Sequence, residues 1–180
     1  MKLNFDVFGF QFGFLAGVRR KRKEPVAGVT NRTADGYYVP FLDYDEMPLD
    51  WIEGELSAMQ DEFKLGDFYV FESGAHHYHV VGFDKMTRDG YEQLLARSSC
   101  DRDYKKVPFA WGRRVATLRV TDKGGRAIRF LKVVSTGDWN FQRWEQSRAH
   151  KLFFEGVYGI EAPEGRYDNY EKLITARYVV

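Results

Sequence analysis

Two short stretches carry side chains suited to acting on phosphate. Asp43-Tyr44-Asp45, in "FLDYDE", sets two carboxylates two positions apart, and on a strand both project from one face. Carboxylates so placed repel unless water or a cation lies between them. Mg2+ and Mn2+ favour such oxygen ligands, and two-metal phosphoryl transfer uses them. The plain alternative is a solvated strand end entering a polar turn. The second stretch, "ESGAHHYHVV" (72–81), holds three of the chain's four histidines. His77 and His79 share a strand face, where they could contact phosphate or hold a divalent metal through imidazole nitrogens. The alternative is a hairpin with surface histidines, and His76 reads as part of the turn.

The chain of 180 residues is long enough for one domain with a real core. Its net charge of +1 excludes a polycation, so any nucleic-acid contact needs a local basic patch. One such patch is Arg19 to Lys23. A second runs through Lys105, Lys106, Arg113, Arg114, Arg119, Lys123, Arg126, Arg129 and Lys132. Solvated loops and strand faces explain both equally well. The single cysteine, Cys100, excludes an internal disulfide framework. No secretory signal and no membrane-spanning run is visible, so the expectation is a cytoplasmic, intracellular protein without membrane contact.

The elements that must position these groups follow from periodicity and turn residues. Phe8, Phe10, Phe12 and Phe14 alternate as in a strand or hairpin, and a basic, then polar, loop follows to residue 35. Residues 36–180 read as the core of a single domain. In it, "GYYVPFLDYDE" is a strand. "PLDWIEGELSAMQDEF" is a helix with the stripe Ile52, Leu56, Met59 and Phe63, closed by Gly66. "DFYVFES" and "HYHVVGF" form a hairpin, and "TRDGYEQLLARSS" is a short helix capped by Thr87. "RRVATLRVTD" and "RAIRFLKVVS" pair across Lys123-Gly124-Gly125, and "DWNFQRWEQSRAHKLFF" is helical. The order predicts an α+β fold, an antiparallel or mixed sheet with helices on one face, built on a split β-α-β unit. In that layout the first strand lies beside the later hairpin, so Asp43, Asp45, Ser73, His77 and His79 meet on one sheet face.

Strand "hydrophobic-Asp-x-Asp", helix, strand, then "Ser-Gly-x-x-x-aromatic-His-Val" resembles the archaeo-eukaryotic primase family, the primase-polymerases of plasmids, viruses and archaea. The likeness spans roughly residues 36 to 135. It implies an RRM-like, primase-type core performing metal-dependent nucleotidyl transfer on a single-stranded DNA template, with nucleoside triphosphates as substrates. By the resemblance, Asp43 and Asp45 hold Mg2+ or Mn2+ together with a third acid, Asp122 first and Asp138 second. Ser73 and His79 bind the triphosphate. Arg119 and Arg129 bind nucleotide or template, and Arg113, Arg114, Lys123 and Lys132 bind nucleic acid. His77 stands where the family has glycine. A helicase or accessory subunit would complete so small a core, since no cysteine-rich zinc motif is present.

"HYHVV" is also similar to the His-hydrophobic-His strand of the HUH rolling-circle initiators. That likeness implies a histidine-held metal and a covalent tyrosine–DNA intermediate through Tyr167, Tyr170 or Tyr178. A third reading is non-catalytic: Trp111, Trp139, Arg119, Arg129 and Lys132 binding single strands by stacking and phosphate contact.

Overall fold

In the computed structural model the acidic strand and the histidine strand are neighbours. The described backbone covers residues 2–7, 10–15, 25–106, 115–135, 145–160, 166–167 and 175–179, and the described side chains cover 27–106, 115–135 and 146–160. The strands are β1 (Lys2–Val7), β2 (Phe10–Leu15), β3 (Pro25–Thr30), β4 (Phe41–Asp45), β5 (Phe68–Gly74), β6 (His77–Val81), β7 (Thr117–Arg119), β8 (Arg129–Val134), β9 (Glu145–Gln146), β10 (Arg166–Tyr167) and β11 (Thr175–Val179). The helices are α1 (Leu49–Phe63), α2 (Arg88–Arg97), α3 (Arg102–Lys106) and α4 (Arg148–Tyr158). This is an α+β protein with two antiparallel sheets, ordered β4-β6-β5-β8 and β11-β3-β7. The Phe-rich segment is the expected hairpin, β1 with β2, and β9 and β10 form a short parallel pair.

β4 and β5 both run antiparallel to β6, so they are parallel to each other and joined by α1. That is the expected split β-α-β unit. Its two faces are fixed by register. Tyr44, Tyr78 and Glu72 form one row facing α1, where the Tyr44 hydroxyl donates to Glu55 Oε1 at 2.7 Å. Asp43, His79 and Phe71 form a row on the other face. There Phe154 of α4 packs on Phe71 and Phe41, with ring centroids 5.5 and 6.0 Å apart. A helix therefore covers each face, where helices on one face were expected. The cause lies in β5, whose Phe68, Tyr69, Val70 and Phe71 are all buried: a strand apolar on both sides requires cover on both.

The polar joints explain several element ends. α1 buries Ile52, Leu56 and Met59, and Gln60 Nε2 donates to the Val134 carbonyl at 2.8 Å, tying the helix to β8. The helix ends at Lys64, in the left-handed region at φ 57, and not at Gly66. Gly66 serves Asp84 instead: its N–H donates to Asp84 Oδ2 at 2.8 Å, and a Cβ there would stand 3.2 Å from that oxygen. α4 begins at Arg148, after the short strand β9, where Ser147 caps it through the His150 N–H; residues 138–144 of the expected helix lie outside the described residues. The fourth histidine is buried in this joint. His150 Nε2 donates to the Thr30 carbonyl at 2.6 Å, so its Nδ1 accepts the Ser147 hydroxyl at 2.5 Å.

Thr87 caps α2 as expected, its Oγ1 accepting the Gly90 N–H at 3.2 Å. Thr87→Ala is expected to cost about 1 kcal/mol in chemical denaturation.

The Lys123–Arg126 turn is also as expected. Its ends exchange backbone hydrogen bonds of 3.2 and 3.1 Å. Gly124 and Gly125 both have positive φ, 59 and 75, the geometry of a type I′ turn. Beyond the turn the arms do not pair with each other. β7 pairs with β3 and β8 pairs with β5, so one hairpin turn joins two sheets. β3 precedes residue 35, where the core was expected to begin, yet it is the middle strand of the second sheet. No helix among the described residues is long and apolar enough to cross a membrane.

Candidate active site

The register of β4 against β6 sets Asp43 opposite His79 and Asp45 opposite His77. His77 Nδ1 lies 2.5 Å from Asp45 Oδ1, a hydrogen bond at the mouth of the site. His79 Nε2 lies 3.6 Å from Asp43 Oδ1, beyond hydrogen-bond distance. His76 sits in the β5–β6 turn at φ 59, as turn filling.

Burial governs the inner pair. The Asp43 side chain is 27% exposed and that of His79 9%. Burial pushes the Asp43 carboxyl up to about 7, and the charges of Asp45 and Asp101 add to the rise against the opposing pull of His77 and Arg119. Burial likewise pushes His79 down to about 3, assisted by the Arg119 charge and opposed by a hydrogen bond to the Arg119 backbone. His79 is therefore neutral at physiological pH, and its approach to Asp43 is not an ion pair. A half-buried carboxylate beside two other acids is a poor anion alone and a good ligand for a cation.

The cleft above these residues has a volume of about 480 Å3. Ser73, buried at the bulged end of β5, lies at its edge. Arg119 enters from the second sheet. Lys123, Gly124 and Arg126 of the turn complete the lining, so acids and histidines face a basic rim. Gly74 makes room for that rim: a Cβ there would meet His77 Cδ2 at 3.3 Å and the Arg126 side chain at 3.6 Å.

The expected site residues thus divide. Asp43, Asp45, Ser73, His79, Arg119 and Lys123 converge on the cleft. Arg129 and Lys132 do not. They are bound to Glu72 Oε2 at 2.5 Å and Glu53 Oε2 at 2.8 Å, on the face that α1 covers. Asp122 is exposed and is not among the lining residues. Its charge acts on Tyr158, whose phenol burial pushes up to about 12. Arg113, Arg114, Trp111, Asp138, Trp139, Tyr170 and the basic cluster 19–23 lie outside the described residues, as do the side chains of Tyr167 and Tyr178.

Sequence reasoning missed one lining residue, Arg126, and one acidic neighbour of Asp43, Asp101, which is not itself in the lining. Arg126 was only one cation among many in the basic stretch. Asp101 stands beside Asp43, its N–H donating to the Asp43 carbonyl at 2.7 Å. It also caps α3 by accepting the Tyr104 N–H at 2.7 Å. The capping pattern in "CDRDY" was the available local signal.

Among the described residues, no group of three or more histidine, cysteine, aspartate or glutamate side chains is arranged to hold a metal ion. Two carboxylates still suit Mg2+ or Mn2+, which commonly complete their coordination with substrate phosphates and water. A second cleft, of about 410 Å3, lies between α1 and α2 beside the exposed Trp51. Its charges are satisfied internally, Arg97 by Glu62 at 3.0 Å and Glu55 by the Ser99 N–H. Comparison with protein-family models, curated proteins and solved structures finds no match for the chain.

Proposed function

We propose that the chain is a metal-dependent nucleotidyltransferase of the primase-polymerase kind, extending or initiating strands on a single-stranded DNA template from nucleoside triphosphates. One observation carries this reading. Asp43 and Asp45 lie directly across from His79 and His77, beneath a basic rim, in a cleft large enough for a nucleotide. The split β-α-β unit beneath the cleft supports an RRM-like, primase-type core. Asp43 and Asp45 would hold Mg2+ or Mn2+, which on binding supply activation of the attacking 3′-hydroxyl and neutralisation of the leaving pyrophosphate. His79, tied through its one N–H to the Arg119 backbone, presents its other ring nitrogen to the cleft, and would donate to a phosphate oxygen once protonated, a state that a bound polyanion favours. Ser73 lines the same cleft.

A second reading, the HUH nickase, is favoured by one observation: His77 and His79 stand side by side on one face of β6.

A single assay separates the readings. The protein is incubated with single-stranded DNA, Mn2+ and labelled nucleotides, beside an Asp43→Ala/Asp45→Ala control. Template-dependent products that vanish in the control are the expected result, and full synthesis by the control would refute the site. A covalent protein–DNA adduct identifies the nickase, and strand binding with neither product identifies a non-catalytic module.

A further inference from the structure

Arg119 is the cleft cation that enters from the second sheet, yet its guanidinium is committed to main chain. Nη1 donates to the carbonyls of Thr121 at 2.6 Å and Arg126 at 3.3 Å, and Nη2 donates to the Ser73 carbonyl at 3.2 Å. Those carbonyls belong to both arms of the Lys123–Arg126 turn and to the bulged end of β5. The side chains of Lys123 and Arg126 line the same cleft and make no ion pair among the described residues.

We infer that Arg119 is a positioning residue that hangs the Lys123–Arg126 turn over Asp43 and Asp45, and that Lys123 and Arg126 form a clamp for a metal-bound polyphosphate. This rests on the nucleotidyltransferase reading and names which groups take the phosphates. The charge layout selects the ligand class. A bare anion is repelled by Asp43 and Asp45, and a bare cation by the rim. A divalent ion complexed with a chain of phosphates satisfies both sides at once. The Gly-Gly tip is open, since nothing beyond the adjoining residues lies within 4 Å of a Cβ built on Gly124 or Gly125, so phosphate approaches the turn without obstruction. The exposed Arg126 side chain passes over Gly74, where a built Cβ would stand 3.6 Å from its Cδ and Nη1.

Calorimetric titration tests this with two probes, Mg2+–tripolyphosphate and a Mg2+-bound non-hydrolysable nucleoside triphosphate. The full chain is compared with Lys123→Ala/Arg126→Ala, with Arg119→Lys and with the triple variant. The turn variant is expected to bind both probes at least about tenfold more weakly, with an unchanged melting temperature and a much smaller change in affinity for single-stranded DNA at matched salt. Arg119→Lys keeps the charge but not the fork of donors, and is expected to weaken both probes as well. Added to the turn variant it should cause no further loss, because it acts through the turn. An additive loss would make Arg119 a direct phosphate ligand and overturn the positioning role. Undiminished probe binding by the turn variant would overturn the clamp and leave the nucleotidyltransferase reading intact. Loss of single-stranded DNA binding alone would reassign the turn to a nucleic-acid backbone and likewise overturn the clamp. Absence of Mg2+-dependent binding of either probe by the unaltered chain would overturn both.

Discussion

Asp43→Asn is expected to abolish nucleotidyl transfer and, above pH 7, to make the protein more stable. The activity loss, at least about a thousandfold, follows from removing one of two carboxylates available to the ion that neutralises phosphate charge. The stability gain follows from where that carboxylate sits. Burial, Asp45 and Asp101 raise its folded value to about 7 from an ordinary 3.8, against the partial relief of His77 and Arg119. Between those two values the folded protein holds a proton that the unfolded chain has released. Stability from this group therefore falls as pH rises from about 4 to about 7, then levels. The full difference is on the order of a few kcal/mol. Asparagine carries no such penalty, so the variant should overtake the parent as pH increases, and melting curves across pH 5 to 8.5 would display the crossing. Mg2+ or Mn2+ at pH 8 should raise the parent's melting temperature and leave the variant's largely unmoved. A metal-free Asp43→Asn protein less stable than its parent at pH 8 would mean that the carboxylate is already well satisfied in the fold.

Phe154→Ala should produce the largest loss of stability among single side-chain truncations on α4. Phe154 is 2% exposed and meets Phe41, Phe71, Phe83, Phe153 and Tyr158, with ring centroids 5.4 to 6.0 Å away. Emptying that position removes about 3–5 kcal/mol, or roughly 10 °C in melting temperature for a chain of this size. Phe154→Leu should recover more than half of it. Because Phe71 shares a row with His79 and Asp43, the same truncation loosens the floor of the cleft. A cost below about 1 kcal/mol by denaturant titration would mean that α4 does not carry this face of the sheet.

How much of this was written locally in the chain differs from residue to residue. Asp43, Asp45, His77 and His79 were legible because period-two placement needs only the strand assignment, and the split β-α-β order makes their strands neighbours. The run Phe68 to Phe71 carried a local sign that both sheet faces would be covered, a sign that fold-class reasoning overrode. Arg119 and Arg129 were not distinguishable. Each sits in a basic arm flanking the same glycine turn, and only the choice of sheet sends one into the cleft and the other to Glu72. That choice is a long-range pairing, which no local pattern encodes. Gly66 misled for the opposite reason. A glycine shortly after a helix is a common terminator, whereas here its missing side chain admits the Asp84 carboxylate.

The turn that joins β7 to β8 has only two residues between Lys123 and Arg126, while its arms enter different sheets. Cleft width and the separation of the sheets are thus one mechanical coordinate. A molecule gripping both Arg126 and Asp43 closes a clasp across that seam. Its binding energy then appears as suppressed breathing of β7 against β3, where the Val120 amide bonds the Ala27 carbonyl at 2.9 Å. Slowed exchange of the Val120 amide, at the end of the strand that carries Arg119 into the cleft, is the signature that occupancy would leave.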